Sequence, residues 1–165
     1  MKSEAMDISH LDRTIDEYHA ALDEQLKGNP EPLKKVFRQH DDVSLANPFG
    51  PVARGWTEVS RAIEKASTYF HDGSAGGFER VAAFACTDLA YIVEAEELRA
   101  RLGAGEDVTP FTLRATTVLR REDGVWKVLH RHADPITRQR SPESLVPEDE
   151  KSPGTRKDGV TISGG

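Results

Sequence analysis

The sequence holds one cysteine, Cys86, which excludes an internal disulfide and any zinc site built from several cysteines. Beside Phe84 and Ala85 it reads as a small buried hydrophobe. Long apolar runs are missing, and no charged-then-apolar segment opens the chain, so a cytoplasmic location is expected, with neither a bilayer span nor an export signal. Basic residues are the minority: 22 Lys and Arg against 28 Asp and Glu give a formal charge of −6. No Lys/Arg run overrides that balance, which argues against a nucleic-acid partner. No GxGxxG follows a strand pattern and no GxxxxGK[ST] occurs, so nucleotide phosphates are not expected as ligands. GxSxG and internal repeats are absent too.

What remains suffices for one domain with a real core: 165 residues, 37% apolar and 30% charged. The apolar pattern stops near Thr137, after which Pro142, Pro147, Pro153 and Gly154 punctuate a charged stretch. Residues 1–136 therefore read as the domain and 137–165 as a disordered tail.

Within the domain, Ile8, Leu11, Ile15, Tyr18, Leu22 and Leu26 recur in threes and fours, predicting a helix from His10 to Lys27 capped by Asp7 or Ser9 and stopped by Gly28. A short helix starts at Asn29-Pro30, with Leu33, Val36 and Phe37 buried. Asp42–Asn47 reads as a strand. Trp56, Val59, Ile63, Ala66 and Phe70 make the stripe of a third helix. A loose GSAGG segment leads into a hairpin of Phe78–Ala85 and Leu89–Arg99. A second hairpin, Val108–Arg120 and Trp126–His132, closes on Glu122-Asp123-Gly124. Helices first and antiparallel strands after make an α+β domain.

The last strand carries the richest chemistry. Alternation puts Trp126, Val128, His130 and His132 on one face, and Lys127, Leu129 and Arg131, in a solvated or interfacial role, on the other. Paired neutral imidazoles exchange protons near neutral pH and bind polar ligands. Asp134 is placed to orient His132, or else to form a turn before Pro135. A bulge at Gly124 would decide whether Ala115, Thr117 and Leu119 or Arg114, Thr116 and Val118 join the histidines; Arg114 would add a cation suited to a carboxylate. Glu94 and Glu96 share a face with Ile92 and Leu98, and one drawn inward would serve as general acid or base. Tyr18 offers a hydroxyl to a ligand oxygen. The candidate catalytic residues are thus His130, His132, Glu96 and Asp134. Tyr18, Trp56, Arg114, Thr117 and Trp126 are candidate ligand contacts, and no metal or cofactor is expected.

The long first helix, the segment NPFGPVARGWTEVSRAIE, the strand DLAYIVEAE and the ending LRATTVLRREDGVWKVLHRHADP resemble the SnoaL-like, ketosteroid-isomerase-like branch of the nuclear-transport-factor-two superfamily. DGVWKVLHRHADP is also similar to the association domain of calcium/calmodulin-dependent kinase. The resemblance spans Ile8 to Pro135. It implies a cone-shaped, strongly curved antiparallel sheet wrapped around three helices, with a pocket inside and homodimers through the outer face. It implies a small-molecule ligand, moderately apolar with oxygen groups. A cofactor-independent isomerase, cyclase or dehydratase is one reading, and a non-catalytic binding or homo-oligomeric assembly domain the other. The isomerase tyrosine has a counterpart in Tyr18, but the segment around Leu45-Ala46-Asn47 lacks the aspartate base. A dehydratase-like set of histidines, acid and tyrosine matches His130, His132, Glu96 and Tyr18 in kind.

Overall fold

The computed structural model describes residues 8–150. Helix α1 (Ile8–Leu26) is followed by α2 (Glu31–Val36), the short strands β1 (Ser44–Ala46) and β2 (Ala53–Arg54), and helix α3 (Trp56–Ser67). Four long strands complete the domain: β3 (Phe70–Ala85), β4 (Leu89–Leu102), β5 (Val108–Glu122) and β6 (Val125–Asp134). All lie in one curved, unclosed sheet in the order β2-β1-β6-β5-β4-β3. The long strands pair antiparallel as expected, whereas β1 runs parallel to β6 and makes the sheet mixed.

The expected stripe of α1 is the buried one: Leu11, Ile15, Tyr18, Leu22 and Leu26 face the sheet. A cap at Asp7 falls outside the described residues, and Ser9 lies inside the helix. Gly28, at φ +90°, takes the left-handed conformation that releases the chain after the helix. Leu33, Val36 and Phe37 are all buried, but Phe37 has already left α2 and bridges to Val128 on β6. Helix α3 stops at Ser67 because Phe70 is needed as the first residue of β3, where its ring joins Leu98, Leu113 and Ala115 in a second core cluster.

The GSAGG segment is not loose. It belongs to β3, which pairs with β4 from Phe70 to Ala85 through three register shifts, and such bulges bend a strand and increase its twist. Gly73 is required here by close approach: a Cβ would sit 2.6 Å from the Leu26 carbonyl oxygen and 2.7 Å from that of Arg99. The last turn of α1 thus lies directly on the sheet. Farther along, residues 79–84 of β3 are exposed on both faces as an uncovered edge. Cys86, after β3, is half-buried rather than buried. Asp123 and Gly124, at φ +50° and +78°, form the two-residue hairpin turn whose twist matches the flanking strands. Beyond β6, Pro142–Leu145 and Glu148–Glu150 are short 3-10 turns, neither with a buried residue; residues 151–165 lie outside the described residues. No helix among the described residues is long and apolar enough to cross a membrane.

Candidate functional site

Strand β6 does not alternate regularly. Val118 of β5 faces His130, yet Leu119 faces Val128, so Leu129 is an extra residue in the ladder. Such a bulge lets two residues on one strand oppose one on the other and exchanges the faces beyond it. Trp126 and Val128 point inward as expected, but Arg131 and Ala133 follow them inside. His130 and His132 turn outward, against the expectation that they share a face with Trp126. The register shift anticipated at Gly124 occurs five residues later.

Arg131, expected in solvent, is the centre of the interior. Its Nη1 and Nη2 donate to Glu96 Oε1 and Oε2 at 2.6 and 2.8 Å, a bidentate fork that matches carboxylate geometry. Nη1 also donates to the Tyr18 hydroxyl, which accepts a second bond from Thr117 Oγ1 at 3.1 Å. Glu96, Tyr18 and Thr117 are essentially inaccessible. Burial pushes the Tyr18 phenol far above its ordinary pKa, with the Arg131 charge offsetting part of the effect. Burial works against the Arg131 charge, and Glu96 and Tyr18 more than reverse it, raising its pKa. This set thus joins one cation, one carboxylate and a neutral phenol by hydrogen bonds.

A second inward group stands one alternation away on β4. Glu94, also buried, lies with Oε2 2.8 Å from His19 Nε2 on α1, and its Oε1 accepts from Arg80 Nε at 3.1 Å. Burial alone would push the Glu94 carboxyl up, but the His19 and Arg80 bonds hold it below its ordinary value. The His19 ring stacks on Phe78, centroids 3.7 Å apart and nearly parallel at 6°. Unlike the closed quartet, this trio reaches the surface: the His19 side chain is 18% accessible and that of Arg80 41%. It opens where α1 meets the uncovered half of β3. A carboxylate-backed imidazole in such a position is oriented by its partner, an arrangement used to take up and return a proton.

The outer face carries the other candidates. Phe84, Tyr91, Val118, His130 and Ser44 are successive cross-strand neighbours, and so are Ala82, Val93, Thr116, His132 and Ala46. Ser44 Oγ lies 2.7 Å from His130 Nδ1. Burial chiefly, and the neighbouring His132, hold the His130 imidazole below its ordinary pKa. His132, 55% accessible, lies 3.4 Å from Asp134, so the anticipated imidazole–carboxylate pair exists, but outside. Asp134 Oδ1 accepts from Arg114 Nε and from the Ile136 amide, both at 2.8 Å; these bonds more than offset the upward push of burial and lower its pKa.

Of the predicted residues, the interior therefore unites Tyr18, Glu96 and Thr117, while His130, His132, Asp134 and Arg114 gather on the opposite side of the sheet. Trp126 is buried beneath the β5–β6 hairpin, and Trp56 packs on the main core from the start of α3. Sequence reasoning missed Arg131, His19 and Arg80. The bulge hid Arg131, but His19 had a signal: it stands four residues after Ile15 and three before Leu22, on the sheet-facing side of α1. Among the described residues, no group of three His, Cys, Asp or Glu side chains is arranged to hold a metal ion.

The model of the SnoaL-like domain matches residues 11–136. The chain belongs to the SnoaL-like family. Its fold is that of solved structures of low identity. A nuclear transport factor 2-like superfamily protein of Salmonella enterica serovar Typhimurium is 16% identical, with 82% of this chain and 94% of that one covered and a TM-score of 0.69. A ketosteroid isomerase-like protein of Erwinia carotovora atroseptica is 18% identical over 84% and 100% of the two chains, TM-score 0.65. A Thiobacillus denitrificans protein, provisionally assigned as a calcium/calmodulin-dependent protein kinase type II association domain, is 20% identical over 75% and 93%, TM-score 0.63. No curated protein matches. The SnoaL-like cone is a ligand-binding fold, and the inward polar groups described above stand on its concave side.

Proposed function

We propose that this SnoaL-like domain binds a small, moderately apolar, oxygen-bearing molecule at the rim between α1 and β3. The observation that carries the proposal is the His19–Glu94–Arg80 trio: it joins a buried carboxylate to an accessible imidazole and an accessible cation. Arg80 is suited to a ligand oxygen, His19 to a proton on an adjacent carbon or hydroxyl, and Phe78 to an apolar ring. The chemistry this supports is a cofactor-independent proton transfer of the isomerase or lyase type. The Tyr18–Arg131–Glu96–Thr117 set fixes the floor beneath it without touching solvent. Pure binding without turnover is the second reading, favoured by that same closure, which leaves His19 and Arg80 as the accessible polar groups.

Thermal shift with a panel of hydroxylated monocyclic and bicyclic ketones tests the site. At least one compound should raise the melting temperature of the wild type and leave that of His19→Ala unmoved. Equal shifts in both proteins would refute the assignment.

We further propose that the protein is a cytoplasmic homodimer joined through the outer face of the sheet, the role we assign to His130, His132 and Arg114. Phe84, 56% exposed, and Tyr91, 40% exposed, stack there with centroids 6.1 Å apart, an apolar patch of the kind that marks interfaces. Sedimentation equilibrium should give twice the chain mass for the wild type and the single-chain mass for Phe84→Asp; a monomeric wild type would overturn it.

A further inference from the structure

A groove of about 350 Å³ runs between the first half of α1, the end of α2 and the β5–β6 turn. It lies apart from the rim at His19 and shares no residue with it. Three permanent cations line it, Arg13, Lys35 and Lys127, against a single carboxylate, Glu17. That is a local positive excess in a chain whose formal charge is −6. Like charges crowded on one wall repel one another, so a concave cationic site is poised for an anion.

The state of each cation sharpens the case. The neighbouring groove on the other side of Lys35 and Lys127, about 690 Å³, holds Arg38 and Arg120. There both arginines are engaged by carboxylates: Arg38 by Asp42 and Glu122, Arg120 by the same two residues. In the smaller groove the charges are available. Lys127 Nζ is fixed by donating to the Lys35 carbonyl oxygen at 2.7 Å, a bond that leaves its charge uncompensated. Arg13 and Lys35 form no ion pair with any described residue.

Beneath them lies Trp126, 4% exposed, whose ring also lines the groove. Its Nε1 is the one buried side-chain nitrogen or oxygen among the described residues without a hydrogen-bond partner. Buried donors are almost always satisfied, and an orphan calls for an explanation. An acceptor oxygen entering the groove would meet the cations directly above this residue.

We propose that this groove is a second binding site, for a small oxyanion carried by a phosphate ester or a carboxylate. Arg13 and Lys35 supply mobile charge and Lys127 a fixed ammonium, with the Trp126 indole beneath them as a reporter of what enters. The site does not depend on the reading of the His19 trio.

The test follows the indole N–H resonance of Trp126 in the ¹⁵N-labelled full chain. There are two tryptophans, and Trp126→Phe assigns the signal. Sodium phosphate and sodium succinate are titrated separately at constant ionic strength set with sodium chloride. A saturable shift with phosphate alone supports a phosphate-ester ligand, with succinate alone a carboxylate, and with both a general oxyanion site. In each case Lys35→Gln and Arg13→Gln, both changes at exposed positions, should weaken binding about tenfold each, the scale of a charge-assisted hydrogen bond. A resonance that neither anion moves overturns the proposal. So does a shift reproduced by sodium chloride, or one unchanged in both variants.

Discussion

Arg131→Met should destabilise the domain by about 3–5 kcal/mol in urea denaturation. The substitution removes the only cation among the described residues that is bonded to Glu96 and leaves that carboxylate fully buried. A carboxylate in that position loses both fork bonds and must either protonate or carry an unscreened desolvation penalty. Tyr18 also loses its strongest donor, and Thr117 alone remains beside its hydroxyl. The companion experiment separates a lost attraction from a stranded charge. Arg131→Met combined with Glu96→Leu removes both charges, and replacing a buried pair by apolar groups of similar volume is often neutral or better. The double variant should therefore be more stable than Arg131→Met alone. A loss below about 1 kcal/mol in the single variant, the range of an exposed pair, would mean that the network is solvated and the interior description is wrong.

The next largest effect is expected from Gly73→Ala, a change of one methyl group. Overpacking a well-filled site costs about 1–3 kcal/mol and occasionally more, and this site belongs at the upper end. Two of the three nearest atoms are backbone carbonyl oxygens, from Leu26 on α1 and Arg99 on β4, so no side-chain rotation relieves the contact. Either α1 lifts at its last turn or β3 separates from β4. Gly103→Ala serves as the comparison, because nothing lies within 4 Å of a Cβ there; at φ +55° it carries only the backbone strain of a turn. Chemical denaturation should rank Gly73→Ala clearly below Gly103→Ala. Equal midpoints would show that α1 does not rest on the sheet at this point.

Gly73 also marks where sequence reasoning stops. Helices α1, α2 and α3 were legible because each carries an apolar stripe with helical spacing, and the β5–β6 hairpin because Asp123-Gly124 satisfies a two-residue turn. The GSAGG stretch has no such periodicity. Gly73 is required by tertiary approach to α1 and β4, which no local pattern encodes. The inward polar groups were legible in part, for a related reason. Tyr18 falls in the apolar stripe of α1 and Glu96 shares a face with Ile92 and Leu98, and all of these are buried; the face of Thr117 was left open between two registers. Strand β6 breaks that rule at Leu129. One extra residue exchanges the faces of everything after it, so the arginine read as solvated becomes the centre of the core and the histidines read as catalytic reach the outer face. His19 was overlooked because its neighbour Tyr18 occupies the centre of the same stripe, although both residues turn toward the sheet.

The measurement that bears most directly on this arrangement is an affinity comparison with whichever ketone the thermal-shift panel identifies. Calorimetric titration would be run on the wild type, on His19→Ala, and on the double variant His130→Ala/His132→Ala. The expected result is a loss of at least about tenfold in His19→Ala, corresponding to about 1.4 kcal/mol, and wild-type affinity in the double variant. Weak binding in the double variant together with intact binding in His19→Ala would contradict it, and would put the ligand on the outer face of the sheet.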